Sequence, residues 1–132
     1  MILNDDQQAL LETAKRFSRK RLLPDYQQRE KDAVIDRELF REMGAMGLLG
    51  IDFPEEHGGL GADGVTSGLI IEELAYGDFN VSAVVVVMSL CGAILMRNAQ
   101  PAVASRWLKR IVAGEAIMAL AITEPRGGSD AA

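Results

Sequence analysis

The chain has 132 residues, with 14 Lys+Arg against 19 Asp+Glu and a formal net charge of −5. Apolar residues make up 48% of it, enough to bury a core and too many for a disordered chain. The acidic balance excludes a nucleic-acid surface, which needs clustered Lys and Arg, and the single cysteine, Cys91, excludes an internal disulfide or a zinc ribbon.

Residues 1–20 turn polar from Asn4 onward and lack the order of a secretory leader, so a cytoplasmic location is expected. Asn4 or Asp5 is placed to cap a first helix, with Asp5 and Asp6 at the positive end of its dipole. Leu10, Leu11, Ala14, Phe17 and Arg21 fall on one helical face, closed by Leu22 and Leu23. Pro24 interrupts, and a polar helix over 25–31 follows. Asp36 caps the next helix, which carries Leu39, Phe40 and Met43 on one side. Gly44 and Gly47 allow a close backbone approach or a helix end. Residues 50–64, rich in glycine around Pro54, read as an irregular loop.

Helix resumes near Val65 and runs to Gly77, after which Asp78 caps a long apolar segment. Local rules conflict there. The β-branched run Val84 to Val87 favours a strand, but 16 apolar-rich residues over 81–96 without a turn signal favour a buried helix. The same 16 fall short of the roughly 20 that a bilayer crossing needs, so no membrane association is expected. Pro101 opens a last helix, which ends at Gly114.

Residues 116–123 then read as a short strand leading into a glycine-rich turn. The expected fold is mostly α: a helical domain over 1–114, followed by an incomplete β domain beginning at 115–132. A strand at 116 has no partner earlier in the sequence and would leave its N–H and C=O groups unpaired. The chain is therefore expected to be the front part of a longer protein.

Few residues suggest chemistry by themselves. Gly59-Leu60-Gly61-Ala62-Asp63-Gly64 fits the spacing of a dinucleotide loop, but FPEEHG stands where such a loop requires a hydrophobic strand. A structural glycine loop is the better reading. His57 lacks a second ligand or base and is expected to be an exposed loop residue. Cys91 sits in the apolar run and reads as core, and Glu72 and Glu73 point in different directions on a helix. No metal site is expected. In ITEPRGGSD at 122–130, Pro125 stiffens a bend while Gly127 and Gly128 expose backbone N–H groups between two hydroxyls, Thr123 and Ser129. Such a turn suits the oxygens of a flavin or a pyrophosphate, although a purely structural turn has the same composition.

Three segments carry a resemblance to a family: GLLGIDFPEEHGGLGADG at 47–64, EELAYGD at 72–78 and ITEPRGGSD at 122–130. In this order and spacing they resemble the amino-terminal part of the acyl-CoA dehydrogenases, over essentially the whole chain. The resemblance implies an FAD-dependent oxidoreductase that converts an acyl-CoA to its trans-2-enoyl-CoA. A carboxylate base removes a proton from C2, and hydride passes from C3 to the flavin. It also implies a homo-oligomer, commonly a homotetramer, and electron delivery to an electron-transferring flavoprotein or another acceptor.

By the same resemblance, the TEP-x-x-GS pattern falls on Thr123, Glu124, Pro125, Gly128 and Ser129. Ile122, Thr123, Gly128 and Ser129 become cofactor-binding candidates, and Ser129 also a contact to acyl-CoA. Leu120 replaces an aromatic residue common in relatives, and Arg126 stands where small residues are usual. Ala83, Val86, Val87 and Leu90 share one helical stripe, and in the family this helix lines the acyl cavity; simple core packing is the alternative. The catalytic carboxylate is expected outside these 132 residues. Two other readings stay open at this point: a non-enzymatic helical binding or oligomerisation module, and an acyl-CoA oxidase-like relative.

Overall fold

The computed structural model describes residues 3–128. Six α-helices account for most of them: α1 (Asp5–Phe17), α2 (Tyr26–Asp32), α3 (Arg37–Ala45), α4 (Gly64–Gly77), α5 (Phe79–Asn98) and α6 (Pro101–Val112). The Asn4 carboxamide accepts the Gln7 N–H while the Gln7 side chain accepts the Asn4 N–H, a reciprocal cap that settles where α1 starts. Asp36 and Asp78 cap α3 and α5 as their positions predict. The stretch before Pro24 departs from the expected continuous helix. Ser18–Leu22 widens into a π-helical turn and Leu23–Asp25 tightens into a 3-10 turn, so the chain changes pitch before the proline instead of breaking at it.

The core lies where α4 packs against α1 on one side and α5 on the other, with α6 against α5. Phe40, Met43, Leu48, Phe53, Leu74, Met88, Leu108 and Ile111 are at most 1% exposed. Gly44 earns its place in α3 by proximity: a Cβ there would stand 2.6 Å from the Ala113 carbonyl carbon at the end of α6. Gly47, with φ +71°, then turns the chain out of the helix.

One buried ion pair locks the corner between α4 and α5. Arg29 Nε donates to Asp78 Oδ2 at 2.7 Å, with the Asp78 side chain 1% exposed, and the same guanidinium donates to the Leu22 carbonyl. Asp78 Oδ1 meanwhile accepts from the Asn80 and Val81 N–H groups at 3.0 and 3.2 Å. A single carboxylate thus caps α5 and fastens α2 to it.

Two expectations need correction. No strand forms among the described residues, and 116–123 is irregular chain without a ladder. The physical reason is the missing partner: helices cannot offer a strand its hydrogen bonds. The second correction concerns length. The helix α5 has 20 residues, an 18-residue window of which has a mean hydropathy of 2.2, and it is long and apolar enough to cross a bilayer by length and composition. The length-based exclusion drawn from 81–96 therefore fails; what distinguishes α5 is that one of its flanks is built into the domain core.

Candidate functional site

The four stripe residues of α5 are not core. Val81, Val85, Met88 and Cys91 form the buried flank, each at most 4% exposed. Val86 and Leu90 lie on the other side at 46% and 49% exposed, with Ala83 and Val87 half-buried between the flanks. Simple core packing is thus excluded as the account of this stripe within residues 3–128. Phe79 and Ile94, missed in the sequence reading, extend the same face at four-residue steps and are also exposed. The signal was present in their spacing. Together these six residues make one uncovered apolar surface along most of α5.

The loop before α4 grips the neighbouring side of that helix. Phe53 is fully buried, and its ring lies so close to Gly92 that a Cβ there would meet Phe53 Cζ at 2.0 Å. Next to it, the Ser89 hydroxyl donates to the Asp52 carboxylate. The loop is braced from within by the Gly61 N–H to the Phe53 carbonyl at 2.8 Å and the Ala62 N–H to the Ile51 carbonyl at 2.9 Å.

The glycine-rich segment 59–64 has no phosphate cradle. The N-terminus of α4 is taken by the Asp63 carboxylate, which accepts the Thr66 N–H at 2.7 Å. That bond holds the Asp63 carboxyl below its ordinary range, so an anion already occupies the position a phosphate would need. Asp63, a carboxylate directly before the first residue of α4, carries the same local N-cap signal as Asp36 and Asp78. His57 is not the exposed residue expected. It is half-buried in a 3-10 turn, with Nδ1 enclosed and Nε2 3.5 Å from Glu56. Cys91 is buried, as its apolar setting predicts. Glu73 pairs with Arg19 at 2.5 Å, while Glu72 is exposed, in keeping with their divergent directions.

After α6 the chain leaves the core gradually. Ala116 is buried, Ile117 and Met118 are half-buried, and 119–126 are exposed. Glu124 and Gly127 exchange backbone hydrogen bonds at 2.8 and 3.2 Å across Pro125-Arg126, closing the expected turn. Ile122 is 54% exposed, Thr123 precedes the turn, and the Thr123 side chain reaches to within 3.5 Å of where a Gly128 Cβ would stand. No hydrogen bond among the described residues engages the backbone of 117–123. Among the described residues its N–H and C=O groups and the Thr123 hydroxyl have no partner, and donors and acceptors of this kind fit a planar, oxygen-rich ring system such as a flavin. Ser129 lies outside the described residues. The structure thus brings Thr123 and Gly128 together at one turn and Ala83, Val86, Val87 and Leu90 together on one helix face.

Residues 4–115 match the family described as acyl-CoA dehydrogenase, N-terminal domain. Benzylmalonyl-CoA dehydrogenase of Aromatoleum aromaticum is 34% identical over 131 residues, which cover 97% of this chain and 34% of that protein. Among solved structures, a glutaryl-CoA dehydrogenase from Mycobacterium smegmatis in complex with FADH2 superposes with a TM-score of 0.89 at 32% identity, over 98% of this chain and 33% of that one. A chain in the structure of the electron transferring flavoprotein of Acidaminococcus fermentans reaches a TM-score of 0.90 at 34% identity, over 99% and 35%. The chain spans about a third of the length of the relatives it matches. The helices, the motifs at 47–64 and 72–78 and the family match run over the same residues: the chain belongs to the acyl-CoA dehydrogenase family and carries its helical amino-terminal domain.

Proposed function

We propose that the protein is an FAD-dependent acyl-CoA dehydrogenase that forms a trans-2-enoyl-CoA, and that residues 1–114 are its amino-terminal domain. The observation that carries the reading is the uncovered apolar face of α5 in a chain of this family. A contiguous apolar face that includes Val86 and Leu90 is stabilised when something apolar covers it. An acyl chain is such a group, and Ala83, Val86, Val87 and Leu90 are its wall in this proposal.

The flavin supplies a two-electron acceptor for hydride leaving C3. The part played by this chain is binding and orientation. Ile122, Thr123 and Gly128, with Ser129 by the family pattern, contact the flavin; Ser129 also contacts acyl-CoA. The α5 face desolvates the acyl carbons, and excluding water strengthens every charge interaction that polarises the thioester. No residue described here is assigned the proton at C2. A homo-oligomer, commonly a homotetramer in the family, and a cytoplasmic location belong to the same proposal. So does an electron-transferring flavoprotein as acceptor, supported by the likeness to a chain in the Acidaminococcus structure.

The test is anaerobic addition of acyl-CoA to the full-length protein. Bleaching of a bound flavin spectrum, with enoyl-CoA formed, is the expected result. A flavin-free protein, or a flavin indifferent to every acyl-CoA offered, contradicts the proposal. Reoxidation by air instead of by an electron-transferring flavoprotein would identify the oxidase-like relative.

A further inference from the structure

Between the apolar face of α5 and the loop that grips it lies one polar contact that the core does not require. Ser89 sits directly before Leu90 and one turn after Val86, at the border of the exposed stripe. Its hydroxyl is held by the Asp52 carboxylate, 37 residues earlier in the chain, and both residues are half-buried. One turn further along the same side, Gly92 receives the Phe53 ring. The loop therefore seizes α5 at two successive turns, by adjacent residues of its own. The Phe53–Gly92 contact fixes how closely the two elements approach. It is an apolar, non-directional contact with the ring seated where the helix has no side chain. The bond from Ser89 to Asp52 is directional and adds a restraint on the rotation of the helix beside it.

We propose that Asp52 and Ser89 are positioning residues that set the rotation of α5, and through it how far Val86 and Leu90 project toward the acyl chain. This rests on the proposed function above, since the stripe must face the acyl group. In this role the pair governs discrimination between acyl groups of different length, without touching substrate. A helix freed to rotate by a fraction of a side-chain width presents an averaged wall, and a wall that moves selects poorly. Rigid support behind the contacting residues is what specificity needs.

The experiment uses the full-length protein and its Ser89→Ala, Asp52→Asn and Ser89→Thr variants, with butyryl-, octanoyl- and dodecanoyl-CoA as substrates. Loss of one charge-assisted hydrogen bond predicts that the ratio of kcat/KM between best and worst substrate falls about three- to tenfold in Ser89→Ala. The change should reside in KM, with flavin content unchanged. Ser89→Thr keeps the hydroxyl and should restore the native ratio. Asp52→Asn keeps an acceptor of lower charge and should lie between, and it serves if Ser89→Ala does not fold. A Ser89→Ala protein that loses thermal stability yet keeps the native preference among the three substrates overturns the inference, as does an equal change for all three. If the unaltered protein is bleached by none of them, the proposed function itself falls.

Discussion

On one flank of α5, Val81, Val85, Met88 and Cys91 are at most 4% exposed; on the other, Val86 and Leu90 are 46% and 49% exposed. Hydrophobicity does not separate the two flanks, since one carries Val, Met and Cys and the other Phe, Ala, Val, Leu and Ile. What separates them is what lies opposite. The buried flank meets α4, α6 and the Phe53 ring, and the exposed flank is left largely open among the described residues. Hydropathy thus states that a face must be covered, and topology decides by what. The same division explains the β-branched run at Val84 to Val87. Residues that favour a strand are tolerated here because an Asp78 cap and tertiary packing fix the helix regardless of propensity.

The comparison breaks most severely at Asp78, which anchors both flanks. Replacing it by alanine leaves the Arg29 guanidinium buried without its partner and uncaps α5, at a cost of roughly 3–5 kcal/mol. Thermal unfolding of the protein should show a large loss, and an unchanged midpoint would mean that the corner is held by other contacts. Next in size is Met88→Ala on the buried flank, expected to cost about 2–5 kcal/mol through lost burial and a cavity. Leu90→Ser on the exposed flank should change the stability of this domain by about 0.5 kcal/mol or less. Equal losses for Met88→Ala and Leu90→Ser would erase the distinction between the flanks.

An effect of similarly small size is electrostatic and lies away from α5. Arg21 holds Glu42 by two hydrogen bonds, Nε to Oε2 at 2.8 Å and Nη2 to Oε1 at 3.0 Å. These bonds keep the Glu42 carboxyl below its ordinary range and push the Arg21 guanidinium up. A depressed carboxyl stabilises the fold above its unfolded pKa, near 4.3, and loses that contribution as pH falls through the lower folded value. Both side chains are more than a third exposed, so about 0.2–1 kcal/mol is expected. Comparing acid unfolding of Glu42→Gln with the native protein checks the sign: the variant should lose less stability on acidification.

Helices and their starts were legible because each start carries a local sign: Asn4, Asp36, Asp78 and Pro101 all act on backbone groups within one turn. The pitch change at Ser18–Leu22 carried no such sign, being imposed by packing against α4. Residues 116–123 read as a strand because their composition fits one, but a strand exists only with a partner. The stripe on α5 was legible as a stripe from its spacing, and Phe79 and Ile94 were in reach of the same rule. Its exposure was not legible, since no local pattern tells which flank of an all-apolar helix is covered. The Asp52–Ser89 contact, joining residues 37 apart, was likewise invisible to any short-range rule.

The most direct measurement is an anaerobic spectral titration of the full-length protein and its Leu90→Ser variant with one acyl-CoA, following flavin absorbance. If the exposed flank of α5 is the acyl wall, both proteins bleach, and the apparent Kd of the variant rises about tenfold for the loss of one buried leucine contact. Equal Kd values in two bleached, equally stable proteins would contradict it and turn the exposed face of α5 toward some other partner.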